Sequence, residues 1–512
     1  MKQLRLNFAY FFAMLFMVTA CYDSKFDEQP PMPVEDEGGN NNGNGSTDES
    51  SSYNERYRPL IHYSPAKNWI NDPNGLIYAD GVYHMFYQYN PMGADWGNMS
   101  WGHATSSDLI KWEEQPVALT RDELGDIFSG SAVYDKDNTA GFGAGSIVAL
   151  YTSSGEHQQQ SLAYSTDGKN FSKYKNNPVI ANADEPDFRD PKVFWYEKGG
   201  YWVMSLAMGW KYQIKFYKSD DLKTWSSLSS FTVDSEVCKR GQWECPDLLK
   251  MDYKGKEKWV LIVSVNPGGP VLGSGTMYFI GDFDGTSFTA DEEYTYPLWL
   301  DYGTDNYAGV TWSNIPDRTV LIGWMNNWSY VSNVPVSPWR SAMTLPRELK
   351  LIEYDGKPLL ASIVVSEIES IAGEWKDVNE ESLGVEGPYQ LRLEANIEGD
   401  ASFSLENENG EYVSIDIDSS NRQLITSRTG STGAYSFNNQ FSIPSIKSPL
   451  NTDGNRMTLD IYVDQSSIEI FTVNGSMAQT FLVFPSSIYD KFRCDSPDIV
   501  VKVRSLRNIW VK

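Results

Sequence analysis

Four stretches of the chain, S-S-D-L-I-K-W (106–112), S-T-D-G-K-N-F (165–171), S-D-D-L-K-T-W (219–225) and D-F-D-G-T-S-F (282–288), share the core D-[LG]-x-x-[WF]. Their aspartates, Asp108, Asp167, Asp221 and Asp284, stand 59, 54 and 63 residues apart. A unit of that length cannot bury its own apolar face and must pack on copies of itself. Each copy follows a strand-like run such as Q-S-L-A-Y or Y-Q-I-K-F-Y, as if an aspartate-capped turn joined the same two strands every time. A period somewhat above that of kelch repeats, in strand-rich sequence, predicts propeller blades of four strands. Residues 58–355 hold roughly five of them.

Beyond residue 365 the repeat stops and strict alternation takes over. Leu391, Leu393, Ala395 and Ile397 alternate with polar positions, as do Val413, Ile415 and Ile417, and again Met457, Leu459, Ile461 and Val463. Period-two alternation marks strands with one buried face. Turns such as E-N-G and V-N-G separate them, so 365–512 reads as an antiparallel sandwich. The expected fold is all-β: a five-bladed β-propeller followed by a C-terminal β-sandwich.

The start of the chain has a different texture. Lys2 and Arg5 precede an apolar run that ends near residue 20, the layout of an export signal and too short for a good membrane span. The run ends in V-T-A-C, which resembles the lipobox of bacterial lipoproteins and makes Cys21 the expected lipidation site. Residues 21–57, rich in Asp, Glu, Asn, Gly and Ser, have too little apolar content to fold and read as a flexible tether. Acidic residues just behind the cysteine resemble a surface-export signal of some Gram-negative lipoproteins. The expected location is therefore the outer membrane, surface exposed, with membrane contact only through the lipid anchor. The other cysteines, Cys238, Cys245 and Cys494, allow at most one bridge, and none is assumed.

Charge narrows the partners. A formal net charge of −26 disfavours nucleic acid and anionic surfaces. With four His and four Cys and no zinc-type spacing, no metal and no cofactor are expected. The 17 Trp and 30 Tyr suit strands, and they also suit faces that stack on sugars.

A ring of blades can deliver one side chain per blade to its axis, so catalytic carboxylates are expected far apart in sequence, in settings unusual for an acid. Asp72, in N-W-I-N-D-P-N-G, is constrained by Pro73 behind it and by the Asn74-Gly75 turn. Asp190, in D-F-R-D-P, also precedes proline, and adjacent Arg189 should favour its ionised form. Glu244, in W-E-C-P-D-L, sits between Trp and Cys at the head of an apolar strand, where poor solvation would suit a general acid. Two carboxyl groups flanking a glycosidic bond are the minimum for its hydrolysis, and a third can hold hydroxyls. Trp69, Gln88 and Trp96 would add a stacking face and hydroxyl partners.

These strings, with F-Y-Q-Y-N-P, F-S-G-S, G-W-M-N-N-W and A-M-T-L-P-R-E-L, together resemble glycoside hydrolase family 32, the invertases, inulinases and levanases. The later D-Q-S-S-I-E-I-F (464–471) resembles a signature of that family's C-terminal sandwich. The resemblance implies a five-bladed propeller and a retaining double displacement at a fructosyl C2. Asp72 would be nucleophile, Glu244 general acid and then base, and Asp190 the transition-state stabiliser, with Arg189 gripping fructose hydroxyls. Trp69, Ile70, Asn71, Gln88, Trp96, Phe128, Ser129 and Trp324 match its remaining pocket positions. Ile70 departs from the pattern, standing where a larger Met or Leu is common. A lipid-anchored fructan hydrolase, levan favoured over inulin and internal cleavage over release of single units, is the expectation. Other glycan-uptake proteins at the cell surface would be its neighbours. The competing readings are an exo-acting inulinase or invertase, an inverting arabinan-cleaving propeller, and a non-catalytic glycan-binding lipoprotein.

Overall fold

A computed structural model of the chain describes residues 53–511 apart from 183, 379–380, 430–436, 443–444, 453 and 496–498. The leader, Cys21 and the tether through residue 52 lie outside the described residues. Residues 53–57, which the sequence assigns to the tether, are packed. Tyr53 stacks on Trp510 with ring centres 4.0 Å apart, and Tyr57 meets Phe484 edge-on. Arg58 is fully buried, donating to Glu55, Ser64 and the carbonyls of Pro65 and Ala66.

Five antiparallel sheets follow in chain order, each growing outward from an inner strand. The inner strands are Asn68–Ala79, Asp126–Asp135, Arg189–Tyr196, Gln242–Tyr253 and Tyr307–Thr311. Each touches the next, and the fifth touches the first, so the ring is closed. Two bonds seal it, Tyr78 N–H to the Ser313 carbonyl and Ser313 N–H to the Leu76 carbonyl. A late segment, Trp339–Arg340, also lies parallel to Asn68 and Trp69. The fifth blade ends with strand Lys357–Val364, past the 355 read from sequence, because that strand pairs with Arg347–Tyr354 along its whole length.

An even number of antiparallel strands per blade returns the chain to the end where it started, so all five inner strands begin at one mouth. Links between second and third strands also lie at that mouth. Links between third and fourth strands lie at the opposite end, and the D-[LG]-x-x-[WF] repeat occupies them in the first four blades. Asp108 Oδ1 accepts from the N–H groups of Ile110 and Lys111, and Asp167 and Asp221 do the same two and three residues on. The residue after the aspartate has positive φ: Leu109 63°, Gly168 70°, Leu222 60°, Gly285 96°. That conformation explains the glycine in two copies. Blade five lacks the motif because a two-residue turn, Asp355-Gly356, both at positive φ, joins its outer strands.

The C-terminal region packs a six-stranded sheet on a five-stranded one. The alternating residues from Leu391 to Val463 named above all enter the single cluster between them. A second apolar cluster is continuous across the junction with the propeller, running from Trp69 and Trp324 to Phe471 and Ile509. Buried charges pin the same junction. His62 bonds Asp464 (Nδ1, 2.7 Å) and Glu469 (Nε2, 2.8 Å), while Arg347 bonds Glu469 at 2.5 Å and Asp301 at 2.8 Å. The signature D-Q-S-S-I-E-I-F thus supplies two acids to the propeller.

Candidate active site

Every inner strand carries a bulge near its start, where two residues oppose one on the neighbouring strand. The pairs are Asn71-Asp72 opposite Gln88, Phe128-Ser129 opposite Thr152, Asp190-Pro191 opposite Leu206, Cys245-Pro246 opposite Val263, and Ala308-Gly309 opposite Gly323. A bulge turns a strand side chain out of its normal alternation, and it accommodates a proline inside a sheet. Asp190, Cys245 and Ala308 take φ of 64°, 48° and 52° to do so, a conformation that bulky residues hold only when their surroundings fix it. Five bulges at one level of a ring aim their residues at the axis.

There the three carboxylates gather. Asp72, partly exposed, accepts from Ser129 Oγ at 2.6 Å on one oxygen and from Asn71 Nδ2 at 3.0 Å on the other. Asp190 Oδ2 accepts from the Cys245 N–H at 3.0 Å, and the Asp190 N–H donates to Thr152 Oγ1 at 3.0 Å. The Cys245 thiol lies 3.5 Å from Asp72 Oδ2 and 3.7 Å from Asp190 Oδ2, so it touches both acids. Glu244 Oε1 accepts from Arg189 Nη2 at 2.9 Å and Nε at 3.2 Å, and its Oε2 accepts from Tyr307.

Burial and mutual repulsion set the charges. Asp72 is pushed above the usual carboxylate range by burial and then by the charge of Glu244, against the opposing bonds of Ser129 and Asn71. Burial pushes Asp190 up to about 7; Arg189 opposes this, and the charges of Glu244 and Asp72 add to it. The expectation that Arg189 keeps Asp190 ionised is therefore corrected. Its guanidinium turns to Glu244, to Asp187 (2.8 Å) and to Gln158 (3.2 Å), and its Nε stays 4.0 Å from Asp190. Glu244 is also better provided than expected, having an ion pair and a side chain 20% exposed.

The expected stacking face is corrected as well. Trp69 and Trp324 have no exposed surface, and neither does Ile70. The Trp69 indole donates to Asn71 Oδ1 at 2.7 Å, the Trp324 indole donates to the Ile70 carbonyl at 3.1 Å, and both rings pack on Trp328. These residues hold the Asp72 bulge from below. Buried Gln88 does likewise, donating to Asn74 Oδ1 and the Ile127 carbonyl. Trp96 is 45% exposed, edge-on to Phe128 at 6.2 Å, and alone of the three expected tryptophans keeps an open face. Sequence reasoning missed Tyr307 and the hub role of Cys245, as well as Asp187, Gln158 and Gln242, which hold Arg189 directly or through Asp187. Cys238 and Cys245 are buried thiols and are not bridged to each other. Away from the mouth, a Lys192–Asp247 pair at 3.0 Å stands between the acids and a cavity of about 330 Å³ at the opposite end of the axis.

A closed five-bladed ring that gathers three carboxyl groups, a guanidinium and an exposed tryptophan at one mouth defines a glycoside hydrolase. Residues 62–362 match the model of the glycosyl hydrolases family 32 N-terminal domain, and 369–507 match the family 32 C-terminal model. The chain belongs to glycosyl hydrolase family 32, whose members hydrolyse fructans or sucrose. It is 43% identical to a levanase of Bacillus subtilis over 90% of its own length and 72% of the relative's. It is 38% identical to an extracellular exo-inulinase of Aspergillus niger, over 90% of this chain and 96% of that one. The structure of an exo-inulinase from Aspergillus awamori superposes with a TM-score of 0.83 at 36% identity, covering 90% of this chain and 100% of the other.

Proposed function

We propose that the protein is a retaining hydrolase of β-fructofuranosidic bonds in fructans, with levan its preferred polymer and internal cleavage its mode. The observation that carries this is the gathering of three acids at the mouth: Asp72 and Asp190, each on its own bulge, both touch Cys245, and Glu244 is the residue just before that cysteine's bulge. Asp72, its two oxygens oriented by Ser129 and Asn71, attacks the fructosyl anomeric carbon. Glu244 gives its proton to the departing oxygen, and takes one from the water that then frees the enzyme. Asp190, whose carboxyl burial pushes well above the usual carboxylate range, can hold a fructose hydroxyl as donor when protonated and as acceptor when ionised. Likeness to the B. subtilis levanase supports levan, and a lipid anchor at Cys21 would suit polymer outside the cell.

A second reading, exo-acting release of fructose, is favoured by the match to nearly the whole length of the A. niger exo-inulinase. A product time course on levan, inulin and sucrose separates the two. Early oligosaccharides from levan are expected; fructose alone from the first minutes would sink the internal-cleavage reading. Asp72→Asn is expected to abolish turnover while leaving binding, and unchanged turnover would refute the assignment.

A further inference from the structure

The exposed large apolar side chains of the propeller are not scattered. Met92 and Trp96 of blade one, Trp210 of blade three, Leu272 of blade four and Val237 before it all lie in links at the catalytic mouth, and among the described residues of the propeller Val117 alone does not. Exposed apolar surface collected on one rim marks a binding face. Trp96 already belongs to the pocket described above. Trp210 and Leu272 are on the other side, where blades three and four supply Arg189 and Glu244.

Their backbones are fixed. Trp210, 53% exposed, sits in a single 3-10 turn, Gly209–Lys211, that links two strands of its blade. A Cβ on Gly209 would come within 2.7 Å of Gln242 and 3.2 Å of Asp187, so the turn lies directly on the pair that orients Arg189. Leu272, 77% exposed, tips a loop whose end is bonded to blade five by Ser274 N–H to Asn327 Oδ1 and by Trp328 N–H to Ser274 Oγ. Rigid presentation of apolar side chains to water, at the edge of a sugar-cleaving site, serves a ligand with flat C–H faces.

From this geometry we infer an outer binding site, formed by Trp210 with Leu272, for the part of a fructan chain that departs when the bond is cut. It rests on the proposed role of Glu244. The acid must lie beside the departing oxygen, so the rest of the chain leaves over blades three and four, while the fructosyl unit stays with Asp72 of blade one. Sucrose, whose departing part is one glucose, barely reaches this rim; a polymer crosses it.

The test compares kcat/KM on sucrose with that on long-chain inulin and levan for Trp210→Ala, Trp210→Phe and Leu272→Ala. For Trp210→Ala the polymer-to-sucrose ratio is expected to fall roughly threefold to tenfold, the worth of one aromatic stacking contact. The loss should appear in KM rather than kcat. Phe should restore most of it, and Leu272→Ala should show a smaller fall. Thermal melts should match the parent, since both side chains are exposed. An unchanged ratio, or equal losses on sucrose and polymer, would overturn the outer site. If the parent protein cleaves none of the three substrates, the proposed function fails first, and that is seen before any variant is made.

Discussion

Asp190 shows what the site demands of single residues. It is held at positive φ beside two other acids, and burial pushes its carboxyl up from 3.8 to about 7. A raised acid weakens the fold as it ionises: its contribution is present below 3.8 and is lost as pH rises through about 7. Asp190→Asn should therefore raise the melting temperature at about pH 8, leave it nearly unchanged at about pH 4, and abolish turnover. Equal melts at both pH values would show that the carboxyl carries no such strain. The prolines after Asp72 and Asp190 and after the Cys245 beside Glu244 made the three acids legible in the sequence, because proline inside a strand-like run is unusual enough to notice. Tyr307 left no such trace. Its strand, Y-A-G-V-T, has no acid and no proline, and only the fold places its hydroxyl on Glu244.

At the level of strands and turns, the two ends of the propeller do different things. The far-end turns repeat because each must reverse the chain between the same two strands. That regularity is why blades could be counted from sequence, and why the fifth, with its Asp-Gly turn, was counted only by length. The near-end bulges were invisible, since their residues differ from blade to blade and only their register is shared. The separation is testable. Asp108→Ala removes the acceptor for two backbone N–H groups and should cost about 1 kcal/mol of stability, read in denaturant melts. Its kcat/KM should be that of the parent, because the turn is at the opposite end from the acids. A loss of catalysis without a loss of stability would contradict that division.

Across the whole molecule, the sandwich closes over charges that the propeller cannot neutralise alone. Asp464 and Glu469 raise the pKa of His62 to about 9 against the effect of its burial, and Arg347 and His62 hold Glu469 down at about 2. Stability from a raised histidine is complete below its ordinary 6.5 and fades as pH climbs through about 9. Stability from a lowered glutamate is present above 4.5 and lost as pH falls through about 2. His62→Gln should lower stability by about 3–5 kcal/mol at neutral pH, the usual result of stripping a buried charge of its partner. The variant should also lose the parent's decline near pH 9, and a decline that persists would place its origin elsewhere. The alternation that marked the sandwich was plain in the sequence. This junction was not, because His62 and Glu469 are separated by hundreds of residues and only the folded chain pairs them.

The contact between the first and last described residues has a mechanical consequence. Tyr53 lies flat on Trp510, the Trp510 indole donates to the Pro59 carbonyl at 2.7 Å, and the Ile509 N–H donates to the Leu60 carbonyl at 2.9 Å. The two ends are thus fastened to each other. A pull on the segment before residue 53 would load that clasp and the buried Arg58 behind it before any tension reached the first strand of the ring. Tension entering there would leave the mouth in shape for as long as the clasp holds.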